Sequence, residues 1–237
     1  MINNYFITNI YEKQNTRSKI SSQLLYGEKF NIISSKRGWY KVRTSYDKYL
    51  GYVKKRKFKK ILKITHKVYS LKAILYSKPN SKFKTKKTLS FCSLISVVGK
   101  KFNFYKIDKY WIKKKDVVPI KFKEKLFKRV KMFVNVKYKW GGKSFHGIDC
   151  SALVQLFFKF NNLYCPRDTK DQLNYFKKKN ELKKNTLIFW KGHVALCVSK
   201  NRLIHAYGPK KKVLIMNTNK TIDLIEKTAN LKVIGLG

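Results

Sequence analysis

Acidic residues are scarce in this chain: 12 of 237, against 56 lysines and arginines, for a formal net charge of +44. Arginine is scarce too, since 49 of those basic residues are Lys and only 7 are Arg. Bidentate reading of phosphates and bases favours the guanidinium fork. The lysines run from end to end beside abundant Asn, Ile, Phe and Tyr, the residue set of A- and T-rich codons. The charge therefore reads as codon bias, and no specific nucleic-acid partner is expected. The run Lys54-Lys55-Arg56-Lys57-Phe58-Lys59-Lys60 reads as a solvated linker. No stretch of eighteen apolar residues exists, which excludes a spanning helix on hydropathy. The start, MINNYFITNIYEKQ, lacks the charged and apolar regions of an export signal, so a soluble, cytoplasmic protein is expected. Four cysteines without a CxxC pair point to a reducing compartment.

What is present suits two or three modest domains, with 43 % hydrophobic residues for their cores. Residues 5 to 60 are short alternating stretches broken by turn signals, as at Gly38-Trp39-Tyr40 and Leu50-Gly51-Tyr52-Val53, which predicts a small barrel. Residues 66 to 118 repeat the plan more loosely. Beyond Pro119, Phe122, Leu126, Phe127, Val130 and Phe133 recur at helical spacing and open a third, mixed domain. The expected fold is α+β, with barrels over 1–61 and 62–118 and a mixed domain over 119–237.

Residues 138 to 157 read YKWGGKSFHGIDCSALVQLF. Gly147-Ile148-Asp149-Cys150 leads into an apolar run with the character of a buried helix, placing Cys150 at its amino end. Unpaired N–H groups there favour a thiolate and lower the thiol pKa from about 8.5. The competing reading is a small hydrophobe buried at a helix start. A nucleophilic thiol needs a base, and there are four histidines. His66 falls in the barrel region and His146 in a glycine-flanked loop. His193 and His205 lie in two apolar segments, 187–198 and 202–207, read as antiparallel strands turning at Lys200-Asn201. Side chains alternate along a strand, so the two histidines share a face if three or five residues connect the strands. A zinc site of Cys150, His193, Cys197 and His205 uses competent ligand types at a spacing unlike common zinc patterns.

YKWGGKSFHGIDCSALVQ, CPRDTKDQ at 165–172, FWKGHVALCV and LIHAY together resemble the NlpC-type family of papain-like cell-wall cysteine peptidases. SQLLYGEKFNII and GWYKVRTSYDKYLGYV resemble the bacterial SH3-like barrels that precede the peptidase in its cytoplasmic, murein-peptide-processing members. The resemblance implies a gamma-D-glutamyl-L-diamino acid endopeptidase, or dipeptidyl-peptidase VI. Such an enzyme cuts L-Ala-gamma-D-Glu from a following diaminopimelate or lysine and needs no cofactor or metal. It implies Cys150 as nucleophile, His193 as general base and then acid, His205 as the group orienting His193, and Tyr138 as oxyanion donor. Asp149, Ser151, Thr169, Trp140 and Arg167 would line the substrate site, with Tyr49 of the first barrel reaching the substrate's amino end. Ala152 replaces the family's usual Gly, and Asn185-Thr186 its usual Gly-Asp. Two other functions fit the residues: a non-catalytic module binding an anionic polymer, and an amidase or acyltransferase using the same Cys-His-His set.

Overall fold

The computed structural model describes residues 1–60 and 63–237, in two compact units. One comprises residues 1–123 with 143–145, and the other 124–142 with 146–237. The expected junction between the two barrels, at Ile61 and Leu62, lies outside the described residues.

The first unit is built from antiparallel strands. Strands β1 (Ile7–Tyr11), β2 (Ile20–Leu25), β3 (Phe30–Lys36), β4 (Trp39–Thr44) and β5 (Leu50–Lys54) form a sheet in the order β2-β1-β5-β4-β3. Arg37 and Gly38 both take positive φ, 47° and 77°, between the paired Lys36 and Trp39. This is the two-residue turn whose twist matches that of the flanking strands. Alternation buries Ile10, Leu24, Phe30, Val42 and Val53, and Phe58 closes over Phe30 edge-on. The closed barrel expected here is an open sheet among the described residues, with β2 and β3 as its edges. Among those residues β2 and β3 form no ladder with each other, and the turn joining these two edges has its backbone groups taken by Asn3, which pairs with Gly27 and Glu28 at 2.7 and 2.9 Å. Its buried side chain donates to the carbonyls of Leu24 and Leu25.

Eight further strands follow: β6 (His66–Val68), β7 (Lys72–Tyr76), β8 (Lys84–Ser90), β9 (Leu94–Ile95), β10 (Gly99–Lys101), β11 (Phe104–Ile107), β12 (Tyr110–Lys113) and β13 (Val117–Pro119). They form a five-stranded sheet, β10-β11-β12-β7-β8, and a three-stranded one, β13-β6-β9. These ladders too are open, around a core of Val68, Leu75, Leu89, Ile95, Ile107 and Ile112.

The second unit wraps a five-stranded antiparallel sheet around one buried helix. The helical spacing from Phe122 to Phe133 yields only a 3-10 turn, Val130–Phe133. Phe127 stands at φ +60°, which an α-helix cannot continue through. Phe127, Val130 and Phe133 are buried all the same. Helix α1 (Cys150–Phe160) is buried at nearly every position and packs on the central strand of the sheet, His193–Ser199, and on its neighbour, Arg202–Tyr207. Its Leu153, Leu156, Phe157 and Phe160 each contribute roughly 1.5–3 kcal/mol of burial, which outweighs the modest helix propensity of the aromatics. Helix α2 (Thr169–Tyr175) is short, and α3 (Thr218–Ala229) carries Ile225 onto a cluster with Trp190, Ala195, Cys197, Leu203 and Tyr207.

Two expectations about the sheet are corrected. The segment read as one strand from 187 to 198 is a hairpin, Leu187–Trp190 and His193–Ser199, turned at Lys191 and Gly192. Gly192 supplies the positive φ. The turn between the histidine strands has two residues, Lys200 and Asn201, instead of three or five. The parity is restored by an irregularity between Cys197 and Ser199, since Cys197 pairs Leu203 while Ser199 pairs Arg202. His193 and His205 therefore share a face.

Candidate active site

Asp149 holds the beginning of α1. Its Oδ1 caps the helix by accepting the Ala152 N–H at 2.8 Å, and the Ser151 hydroxyl at 3.2 Å. Its Oδ2 accepts the Gly141 N–H at 2.9 Å. Arg167 adds two charge-assisted bonds, Nη1 to Oδ1 at 3.0 Å and Nη2 to Oδ2 at 2.6 Å. Five donors thus converge on about four lone-pair sites. The paired glycines make this possible. Gly141 turns its N–H inward at φ +70°, and a Cβ on Gly142 would lie 2.4 Å from the Gly147 carbonyl oxygen.

The loop before α2 is fastened to the same turn. Arg167 Nη1 also donates to Ser151 Oγ at 2.8 Å. Gln172, fully buried, donates to the carbonyls of Ser151 and Pro166 at 2.9 and 3.0 Å. Nothing in its sequence neighbourhood marked Gln172, although it closes the CPRDTKDQ stretch.

Cys150 stands at the first position of α1, as expected, but its acidity is the reverse of the expectation. Burial, reinforced by the Asp149 carboxylate, pushes the thiol up to about 12. The N–H groups of Val194 and Ser151 and the Arg167 charge pull it down by less. A helix terminus is a partial charge, and dehydration of a buried anion outweighs it. Cys150 is therefore a neutral thiol at pH 7. Its contact with the Val194 N–H brings it to the residue that follows His193.

His193 Nε2 lies 3.0 Å from His205 Nδ1. His205 is fully buried and stacks on Tyr207 at 4.7 Å between ring centroids and 9° between planes. Its Nε2 lies 3.4 Å from Met216 Sδ. Dehydration lowers both imidazoles, His193 to about 4 and His205 to about 3, with His193 adding to the effect on His205. Both rings are neutral near pH 7. Tyr207 and Met216 were not singled out in the sequence, because an aromatic and a thioether on apolar strands read as core.

Tyr138 is partly buried, and its phenol pKa is raised, first by dehydration and then by Cys150 and Asp149. The hydroxyl accordingly keeps its proton. A cavity of about 530 Å³ opens beside His193, with Tyr138, Tyr207, Lys191, Lys210, Leu224 and Thr228 among its walls. Thr169 is the first residue of α2 and partly buried, Ser151 is buried, and Trp140 is 58 % exposed. Tyr49 belongs to the other unit, where its N–H donates to Thr44 Oγ1 at 2.8 Å. His146 is exposed, and His66 packs against Tyr105. Among the described residues no three His, Cys, Asp or Glu side chains converge as metal ligands. Cys197 lies in the apolar cluster under α3. No helix of the described residues is long and apolar enough to cross a membrane.

A buried thiol at a helix start, held to the N–H of the residue after His193, and two neutral imidazoles in contact with each other supply the residue types of a nucleophile–base–third-group chain. Residues 135–226 match the model of the NlpC/P60 family, and residues 10–58 that of the bacterial dipeptidyl-peptidase Sh3 domain. A gamma-D-glutamyl-L-lysine dipeptidyl-peptidase of Bacillus subtilis (strain 168) is 26 % identical over 237 residues, covering 87 % of this chain and 79 % of its own. One of the same name from Bacillus cereus is 25 % identical over 91 % of this chain and 75 % of its own. The crystal structure of an NlpC/P60 family protein from Bacillus cereus shares the fold, with a TM-score of 0.82 at 20 % identity over 99 % of this chain and 97 % of that one.

Proposed function

We propose that this chain, whose residues 135–226 match the NlpC/P60 family and residues 10–58 the bacterial dipeptidyl-peptidase Sh3 domain, hydrolyses the gamma-D-glutamyl-diamino acid bond of short murein peptides with a free N-terminal L-Ala. The observation that carries the reading is the 3.0 Å contact of His193 with His205, next to a thiol that accepts the Val194 N–H. The relatives' names supply the substrate class. We place the reaction in the cytoplasm, on released peptides. Residues 62–118 are read as a second, degenerate SH3-like module, and the working division of the chain is 1–61, 62–118 and 119–237.

Cys150 attacks the γ-carbonyl carbon as its proton passes to His193, forming the S–C bond and an oxyanion. The backbone N–H of Cys150 and the Tyr138 hydroxyl stabilise that charge, a task for which a neutral phenol is suited. His193 then protonates the departing nitrogen as the C–N bond breaks, releasing the diamino acid. Water attacks the thioester and gives its proton to His193. The S–C bond breaks, the proton returns to sulfur, and L-Ala-D-Glu leaves. Because the base must reach the leaving nitrogen, the cavity beside His193 takes the leaving residue.

Ser151, Thr169 and Trp140 line the acyl side. Asp149 and Arg167 act there chiefly by holding the turn that presents Cys150. Cys150→Ala and His193→Ala should abolish turnover with the circular dichroism spectrum unchanged. His205→Asn should be milder, since an amide replaces part of the orienting role. Undiminished turnover in Cys150→Ala refutes the mechanism.

A further inference from the structure

Met216 pairs with Leu203 across the sheet and is therefore the diagonal neighbour of His205 on the same face. Its Sδ lies 3.4 Å from His205 Nε2, and His205 Nδ1 lies 3.0 Å from His193 Nε2. A thioether can accept a hydrogen bond but has no hydrogen to donate. The proton in the first contact must therefore sit on His205 Nε2. A neutral ring protonated there has a bare Nδ1, so Nδ1 accepts the proton carried by His193 Nε2. His193 is then left with its lone pair on Nδ1, the nitrogen not used by His205. In the opposite arrangement, His205 Nε2 would turn a lone pair toward the lone pairs of sulfur.

We infer that Met216 is a positioning residue: as an acceptor without a proton, it sets the tautomer of His205 and, through it, selects Nδ1 as the basic nitrogen of His193. The burial of His205 strengthens the choice, because water cannot replace the sulfur as acceptor. Low imidazole pKa values keep both rings singly protonated near pH 7, where a tautomer is defined.

The kinetic part rests on the peptidase reading; the tautomer part does not. The test is Met216→Leu, which keeps the bulk and removes the acceptor. In the parent chain, ¹⁵N NMR of labelled histidines at pH 7 should show His205 protonated at Nε2 and His193 at Nε2. The Leu variant should melt like the parent yet show mixed tautomers at both rings. Its kcat on the tripeptide should fall about two- to tenfold with KM unchanged, the scale of one weak hydrogen bond. Parent spectra with His205 protonated at Nδ1 overturn the inference, as do unaltered tautomers in the variant. If the chain proves inactive on murein peptides, the NMR result still decides the tautomer.

Discussion

Arg167 grips Asp149 through two nitrogens, at 2.6 and 3.0 Å, with both side chains almost wholly buried. Breaking such a pair from one side leaves an uncompensated charge inside the protein, at a cost of about 3–5 kcal/mol. Arg167→Met should therefore lower the urea midpoint sharply. Arg167→Lys should recover only part, because an ammonium is a point donor without the fork. A midpoint within error of the parent for Arg167→Met would show that the pair does not anchor the Cys150 turn.

The buried thiol leads to an unusual reactivity profile. With its pKa pushed up to about 12, little Cys150 is thiolate at pH 7. Alkylation by iodoacetamide in the absence of substrate should be slow there and rise about tenfold per pH unit toward pH 10. Mass spectrometry of the labelled peptide reads the rate. Fast, pH-independent labelling between pH 6 and 8 would mean a preformed thiolate–imidazolium pair.

The histidines set an acid limit. Their folded values, about 4 and about 3, lie below the unfolded value of about 6.5. The unfolded chain therefore binds protons first as pH falls. Stability is complete above pH 6.5 and declines below it, by up to about 1.4 kcal/mol per pH unit for each ring. Urea unfolding at pH 7.5 and 5.0 measures the loss, which His205→Gln should reduce. An equal loss in that variant would assign the acid sensitivity to other groups.

Much of this site was legible in the chain because its signals are local. The Trp-Gly-Gly turn, the Asp-Cys-Ser helix start and two histidines on apolar strands each occupy a few consecutive residues. Asp149 was read as a substrate-lining residue, and its cap on α1, which its place just before the helix allows, went unremarked. What escaped depends on distant partners. Arg167 meets Asp149 across 18 residues with no period between them. Met216 looks like any sheet methionine until the register places it beside His205. The acidity of Cys150 was misjudged because the helix terminus is visible in sequence while the burial that outweighs it is tertiary. The barrels were overdrawn for a similar reason: strand and turn spacing does not reveal which strands pair, nor that Asn3 takes up the turn joining β2 and β3.

A free substrate amine should matter. N-acetylation of L-Ala-gamma-D-Glu-L-Lys removes its ammonium charge and adds bulk. The value of kcat/KM should fall about ten- to a hundredfold, the scale of one lost charge-assisted bond plus a clash. Equal rates on both peptides with the full chain would remove the amino-end requirement.

The central claim is that Cys150 drives cleavage on the carboxyl side of gamma-D-glutamate. The most direct measurement is to incubate the full chain with L-Ala-gamma-D-Glu-L-Lys and with its diaminopimelate counterpart, and to weigh the products. The account predicts L-Ala-D-Glu and the free diamino acid from at least one of them, and neither product with Cys150→Ala. Intact peptides with the parent chain, release of alanine instead, or the same products from Cys150→Ala would contradict it.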